Sequence, residues 1–322
     1  MITKRKKRQE DRETNKRGSR TKRLPEEASK RNADGTRGVH GDQVRVESGV
    51  AKNDRREPRE KRVSQISNQL KSRDPLERAD AVEQLAAIDD PVAFRLVMKG
   101  LWDRNPTVRV TSAEALGRMR DRGAVSALTT KLIDPNSEVR FRVTESLGLI
   151  LSGSKRIPRS LTRRFQDADE LVRIAAAESA ILIGDRDVVP MLRKAINDPS
   201  ALVRSYFAEA LGRLGNKKEV AKLEKKLQNE PSEIAKVGIS LALFLLGRHK
   251  FLEDLLSLLE SRDYRVRCAT ANAVSQIYTS ELDARTVVSS LRRALRSETT
   301  VAARSSIRSS LASLRRRLRH NR

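Results

Sequence analysis

Residues 134–148, DPNSEVRFRVTESLG, and 198–215, DPSALVRSYFAEALGRLG, carry one pattern twice. Each opens on Asp-Pro, places an arginine six residues after the aspartate, and continues with apolar side chains at steps of three and four until a glycine. Those steps mark an amphipathic helix. Sliding the chain against itself at about 31 residues recovers the same unit along most of its length. A basic residue marks each copy, at Arg78, Arg109, Arg140, Arg173, Arg204, Lys236 and Arg267, and Arg304 joins the series if a longer loop near Thr279 to Asp283 is allowed.

Seven residues past the marker stand Leu85, Leu116, Leu147, Ala180, Leu211, Leu243 and Val274; ten past it stand Ile88, Met119, Ile150, Ile183, Leu214, Leu246 and Ile277. These form one face of a first helix. A second series, including Phe94, Val97 and Leu101, then Val125, Leu128 and Leu132, then Val189, Leu192 and Ile196, predicts a second helix in each unit. Gly117, Gly123, Gly148, Gly153, Gly184, Gly215 and Gly247 lie between the two and suit left-handed positions past a helix end. Asp74-Pro75, Asp134-Pro135 and Asp198-Pro199, with looser forms at Asp103, Asp167 and Asn229, read as helix starts, the aspartate capping free amides. One such hairpin cannot bury both of its apolar faces, but stacked neighbours can. The expected fold is an all-α solenoid of about seven to eight stacked hairpins.

The quoted segments resemble HEAT-like repeats of the short type found in phycobilisome lyases, over about Asp74 to Arg319. The resemblance implies second helices lining a concave surface. It also spans scaffolds, bilin lyases, a DNA-glycosylase group and a deoxyhypusine hydroxylase group. The hydroxylases rely on His-Glu pairs for iron, which this chain lacks, and the glycosylases read DNA with aromatic and acidic residues, where this chain has one tryptophan, Trp102, at a hairpin edge.

Composition narrows the chemistry. Of 322 residues, 67 are basic and 42 acidic, a net charge of +25. The single Cys268 leaves no partner for an intrachain disulfide, and three scattered histidines offer no metal spacing. The N-terminus is charged from Lys4 to Arg8 and reaches no apolar signal region, and the apolar stretch at Ile239 to Leu246 is too short to span a bilayer. A soluble, cytoplasmic protein of a reducing compartment is expected. Residues 1–73 hold 23 basic and 11 acidic side chains without apolar periodicity until Val63, Ile66 and Leu70. Residues 1–58 are therefore read as a disordered basic arm, and residues 59–322 as the solenoid, opening with a short helix from about Arg59 to Ser72. Charge collects at the ends: +12 before Asp74, +3 from Asp74 to Ala284, and +10 from Arg285 onward.

Three constellations invite a functional reading. The marker arginines form a ladder, five of them followed five residues later by Glu83, Glu114, Glu145, Glu178 and Glu209. With a carboxylate accompanying nearly every copy, the ladder is expected to fix the register between repeats. Opposite the apolar face of the second helices stand Lys99, Thr130, Arg163, Lys194, Lys225, Ser257 and Arg293, which the resemblance places as a cationic row along the inner groove. The last helix sets Arg304, Arg308, Arg315 and Arg319 beside a stripe of Ile307, Leu311, Leu314 and Leu318, as a polar cap or an anion-binding surface.

No glycine-rich phosphate loop or nucleophile elbow is present, so neither an enzyme nor a cofactor is expected. The expected function is a binding scaffold whose concave face and basic ends hold an acidic protein or a polyanion, through Lys99, Arg163, Lys194, Lys225, Arg293, Arg304, Arg308, Arg315 and Arg319. Sequence-nonspecific nucleic-acid binding is the alternative. An anionic membrane surface is a further candidate partner, a bilin lyase-like chaperone a further candidate function, and no small-molecule substrate is evident.

Overall fold

The computed structural model describes residues 56–277 and 281–320, with side chains over 59–277 and 284–317. The expected disordered arm, including the Lys4 to Arg8 run, lies outside the described residues except where the opening helix, α1 (Arg56–Gln69), starts three residues before the expected boundary. Seven hairpins follow among the described residues: α2 (Pro75–Ala86) with α3 (Pro91–Gly100), α4 (Pro106–Met119) with α5 (Val125–Lys131), α6 (Ser137–Ile150) with α7 (Arg159–Thr162), α8 (Glu170–Ile183) with α9 (Val189–Ala195), α10 (Ala201–Leu214) with α11 (Val220–Gln228), α12 (Glu233–Leu245) with α13 (Phe251–Ser257), and α14 (Tyr264–Ser275) with α15 (Glu281–Ser297). A terminal helix, α16 (Val301–His320), packs on α14 and α15. No helix among the described residues is long and apolar enough to cross a membrane.

The two apolar series make the core. Leu85, Leu116, Leu147, Ala180, Leu211, Leu243 and Val274 are all buried, as are Val97, Leu128, Leu192 and Leu255 from the second helices. Each first helix touches the first helix of the next unit along the whole stack, whereas second helices chiefly touch first helices.

Two sequence expectations need correction. Asp103, Asp134, Asp167 and Asp198 do not cap helices. The caps are Asn105, Asn136, Asp169 and Ser200, two residues later, and the earlier aspartate accepts that residue's amide while receiving the marker arginine of the preceding unit. Asp74, with Pro75 behind it, is a true cap. The glycines divide as well. Gly153, Gly184 and Gly247 take positive φ, but Gly117 and Gly148 lie inside first helices. A Cβ on Gly148 would meet the Ser179 Cα at 3.0 Å, and one on Gly212 would meet the Ala242 Cα at 2.5 Å. These are contact points between successive first helices, where the lost side chain lets two backbones approach.

Candidate functional site

The ladder is internal. Arg78 grips Asp103 with Nε at 2.8 Å and Nη2 at 2.7 Å; Arg109 grips Asp134 at 2.9 and 2.8 Å, Arg140 grips Asp167 at 3.1 and 2.9 Å, and Arg204 grips Glu230 at 2.9 and 2.6 Å. Arg173 reaches Asp198, and Arg267 reaches Glu298. The third nitrogen of each fork donates backward to carbonyls opening its own unit, as Arg140 Nη1 does to the Asp134 and Pro135 oxygens. One guanidinium thus ties its own loop to the next, a two-sided use that suits its planar fork. The hydrogen bonds from Arg78 hold Asp103 below the usual carboxylate range, and those from Arg267 push Glu298 down to about 2. The sixth unit breaks the series: Lys236 makes no side-chain ion pair among the described residues, and Ser261, standing where the aspartate would, donates to Glu233 at 2.6 Å.

The predicted cationic row faces solvent, and none of its residues lines the groove formed by the first helices. Lys99, Arg163, Lys194, Lys225 and Arg293 are exposed. Arg163 and Lys194 share a shallow depression of about 740 Å³ with Phe165 and Met191, while Arg293 borders a smaller one and stands 3.5 Å from Glu260. Lys99 and Lys225 stand outside both. On α16, Ile307, Leu311 and Leu314 are buried and Arg308 and Arg315 exposed; the side chains of Leu318 and Arg319 lie outside the described residues. Arg304 keeps its backward bond to the Glu298 carbonyl and makes no side-chain ion pair among the described residues. Trp102 is exposed, more than its expected partial burial, and the Lys131 ammonium sits 5.0 Å from its ring centre.

The first helices build a groove of their own, of about 930 Å³, which runs across α4, α6, α8, α10, α12 and α14. Small residues in that layer are the cause: Ser146 Oγ donates to the Ala113 carbonyl at 2.7 Å and Ser179 Oγ to Thr144 at 2.9 Å, both against the glycines of the preceding helix. Successive first helices are drawn close together in this layer. Arg213 on α10 accordingly reaches Gln276 beyond the end of α14, two units away.

The Glu114, Glu145, Glu178 and Glu209 carboxylates line this groove, with Arg118, Arg142 and Arg213. Arg118 divides itself between Glu83 and Glu114, Arg142 between Glu138 and Glu145, and Arg213 pairs with Glu209 at 2.8 Å. Glu178 has no such partner. Although water in the groove reaches it, the crowding of the walls and the charges of Glu145 and Glu209 raise its pKa to about 7. Burial, then Glu178 and Glu209, push the Tyr206 phenol up to about 12. The signal was present in the sequence as the glutamate five residues past the first five markers, which at helical spacing falls on one face of successive first helices. Among the described residues no group of three or more His, Cys, Asp and Glu side chains is arranged to hold a metal ion.

A family model for HEAT repeats matches residues 63–148 and 157–243, together more than half of the chain. No curated protein matches it. Among solved structures, the chain is similar to the complex of CpcE and CpcF of phycocyanin lyase from Nostoc, at 19% identity and a TM-score of 0.49 over 71% of this chain and 97% of that one. It is similar to YibA of Escherichia coli at 19% and 0.48, over 86% and 100%. Human deoxyhypusine hydroxylase in complex with glycerol matches at 21% and 0.36, over 81% and 98%.

Proposed function

Because the chain belongs to the HEAT-repeat family, we propose that it is a non-enzymatic binding scaffold whose exposed cations engage an acidic protein surface. One observation carries this reading. The marker arginines are largely consumed by carboxylates within the stack, but Lys99 on α3, Arg163 just past α7, Lys194 on α9 and Lys225 on α11 are exposed and have no ion pair among the described residues. Such cations cost nothing to dehydrate for internal pairing and remain available to an external anion. Arg304, exposed and without an ion pair among the described residues, and the exposed Arg308 and Arg315 extend the cationic surface on the last described helix, and Arg319 adds charge there by sequence. Arg293, partly engaged by Glu260, contributes less.

The test uses the full chain against a labelled poly-glutamate peptide and a mixed-sequence DNA duplex over a range of salt. Reversing Lys194 and Lys225 to glutamate should weaken poly-glutamate binding by about tenfold, the equivalent of about 1.4 kcal/mol. Unchanged affinity would sink the reading. The net charge of +25 also favours nucleic acid. Affinity for DNA that is indifferent to sequence, exceeds that for poly-glutamate and falls steeply with salt would transfer the proposal to that partner. The likeness to a phycocyanin lyase is one of fold, and a bilin-holding role is not proposed.

A further inference from the structure

The first-helix groove has a charge opposite to that of the whole protein. Glu114, Glu145, Glu178 and Glu209 line it and Glu83 and Glu138 stand beside it, against Arg118, Arg142 and Arg213, which these glutamates already share, and Arg317, which reaches the Ser275 carbonyl at its far end. Glu178, near the middle of the row, has no hydrogen bond or ion pair among the described residues, so the arrangement is short of a cation at its centre. Apolar surface lies beside it. Leu182 is exposed on the groove wall, and Leu149, Leu202 and Tyr206 are half-buried there. Carboxylates beside uncovered leucines are complementary to a ligand that carries positive charge and an apolar face together.

We propose that this groove docks a short basic amphipathic segment of a partner protein, with lysine or arginine side chains over Glu178 and its neighbours and apolar side chains against Leu149, Leu182 and Tyr206. The rest of the molecule favours this location. The positive charge of the chain collects at its ends, +12 before Asp74 and +10 from Arg285 onward, so a cationic segment is repelled there and is steered instead to the acidic groove of the nearly neutral 74–284 stretch. The groove runs across six first helices, which at about 8–10 Å between neighbouring axes offers more length than a single side chain or a small amine fills. This site uses residues separate from the exposed cations, so the two proposals stand or fall independently.

The experiment measures fluorescence anisotropy of a labelled peptide of about 18 residues, designed with a leucine stripe flanked by lysines, on addition of the full chain at about 0.15 M salt, where charges beyond about 8 Å are screened. Binding should weaken at least about tenfold in a Glu178→Gln, Glu209→Gln double variant, and in Leu182→Ser, while Glu253→Gln on α13 should bind as the parent does. Gln keeps the size of Glu and both helices stay intact, which circular dichroism checks. Affinity should also rise from about pH 6 to about pH 8 as Glu178 loses its proton in front of Arg142 and Glu145 on α6 and Tyr206, Glu209 and Arg213 on α10, and Glu178→Gln should flatten that rise. The proposal is overturned if the groove variants bind like the parent, if a peptide of equal charge without the leucine stripe binds as well, or if spermidine displaces the peptide at equal charge concentration.

Discussion

At the scale of single residues, the marker arginines are joints. Arg109 and Asp134 are both buried, and Asp134 has no second ion-pair partner among the described residues, whereas Asp167 is held by Arg164 at 2.7 Å in addition to Arg140. Removing one member of a buried pair leaves a stranded charge at a cost of about 3–5 kcal/mol. Arg109→Ala should therefore lose stability in that range in urea titration, and Arg140→Ala measurably less, because Arg164 stays. The reverse order would contradict the roles assigned to them. Glu178 behaves oppositely. Its folded pKa, about 7, lies above the ordinary 4.5, so its protonated form favours the folded state below pH 4.5, and that advantage disappears as pH rises through 7. Glu178→Gln should leave the melting temperature unchanged near pH 4 and raise it by about 2 °C near pH 8.

Pairs of helices are held apart or together by what lies between them. Between α10 and α12 the spacing is set by Gly212, whose added Cβ would fall 2.5 Å from the Ala242 Cα. Alanine is the better helix former by about 1 kcal/mol, but backbone cannot yield as a flexible side chain does, and overpacking costs about 1–3 kcal/mol. The clash wins, and Gly212→Ala should destabilise the chain by about 1 kcal/mol in denaturant titration. Gly184 has open space around its Cβ position but a φ of 79°, so Gly184→Ala should cost a similar amount for a local reason, without disturbing the neighbouring helix. A method that reports inter-helix spacing, such as hydrogen exchange on α12, separates the two: protection there should fall in Gly212→Ala and persist in Gly184→Ala.

Across the whole stack, stability is close to a sum of nearest-neighbour terms, so a weak junction matters. The ladder lapses where Lys236 faces Ser261, and the buried apolar side chains divide into two clusters on the same helix, α12: Ile239, Ala242 and Leu243 belong to the first, Val237, Leu241 and Phe244 to the second. Restoring the pair with Lys236→Arg and Ser261→Asp together should stabilise the chain by about 1 kcal/mol, while either change alone should not. A gain from either single variant would show that the junction is not limited by the missing pair. The remaining ladder carboxylates set the acid limit. Asp103 and Glu298 titrate below their ordinary values, so the stability they give is complete above about pH 4.5 and lost as pH falls toward 2. Melting temperature should rise by about 2 °C from about pH 8 to 5 as Glu178 takes up its proton, and drop steeply below about 4.

The repeat length, the two helices of each unit, their buried faces and the register role of Arg78 through Arg267 were all legible in the sequence, because each depends on spacing within one unit or on a residue type recurring at a fixed interval. Val97, Leu116 and Leu147 are buried where the periodicity put them. Which helical layer walls the groove was not legible. That depends on how closely neighbouring units approach, and hence on Gly148 meeting Ser179 and Gly212 meeting Ala242 from about 30 residues away. Periodicity reports that a residue leaves the core, but not whether it then lines a groove. The tertiary structure gave the wall of the first-helix groove to the glutamates and set the lysines apart from it.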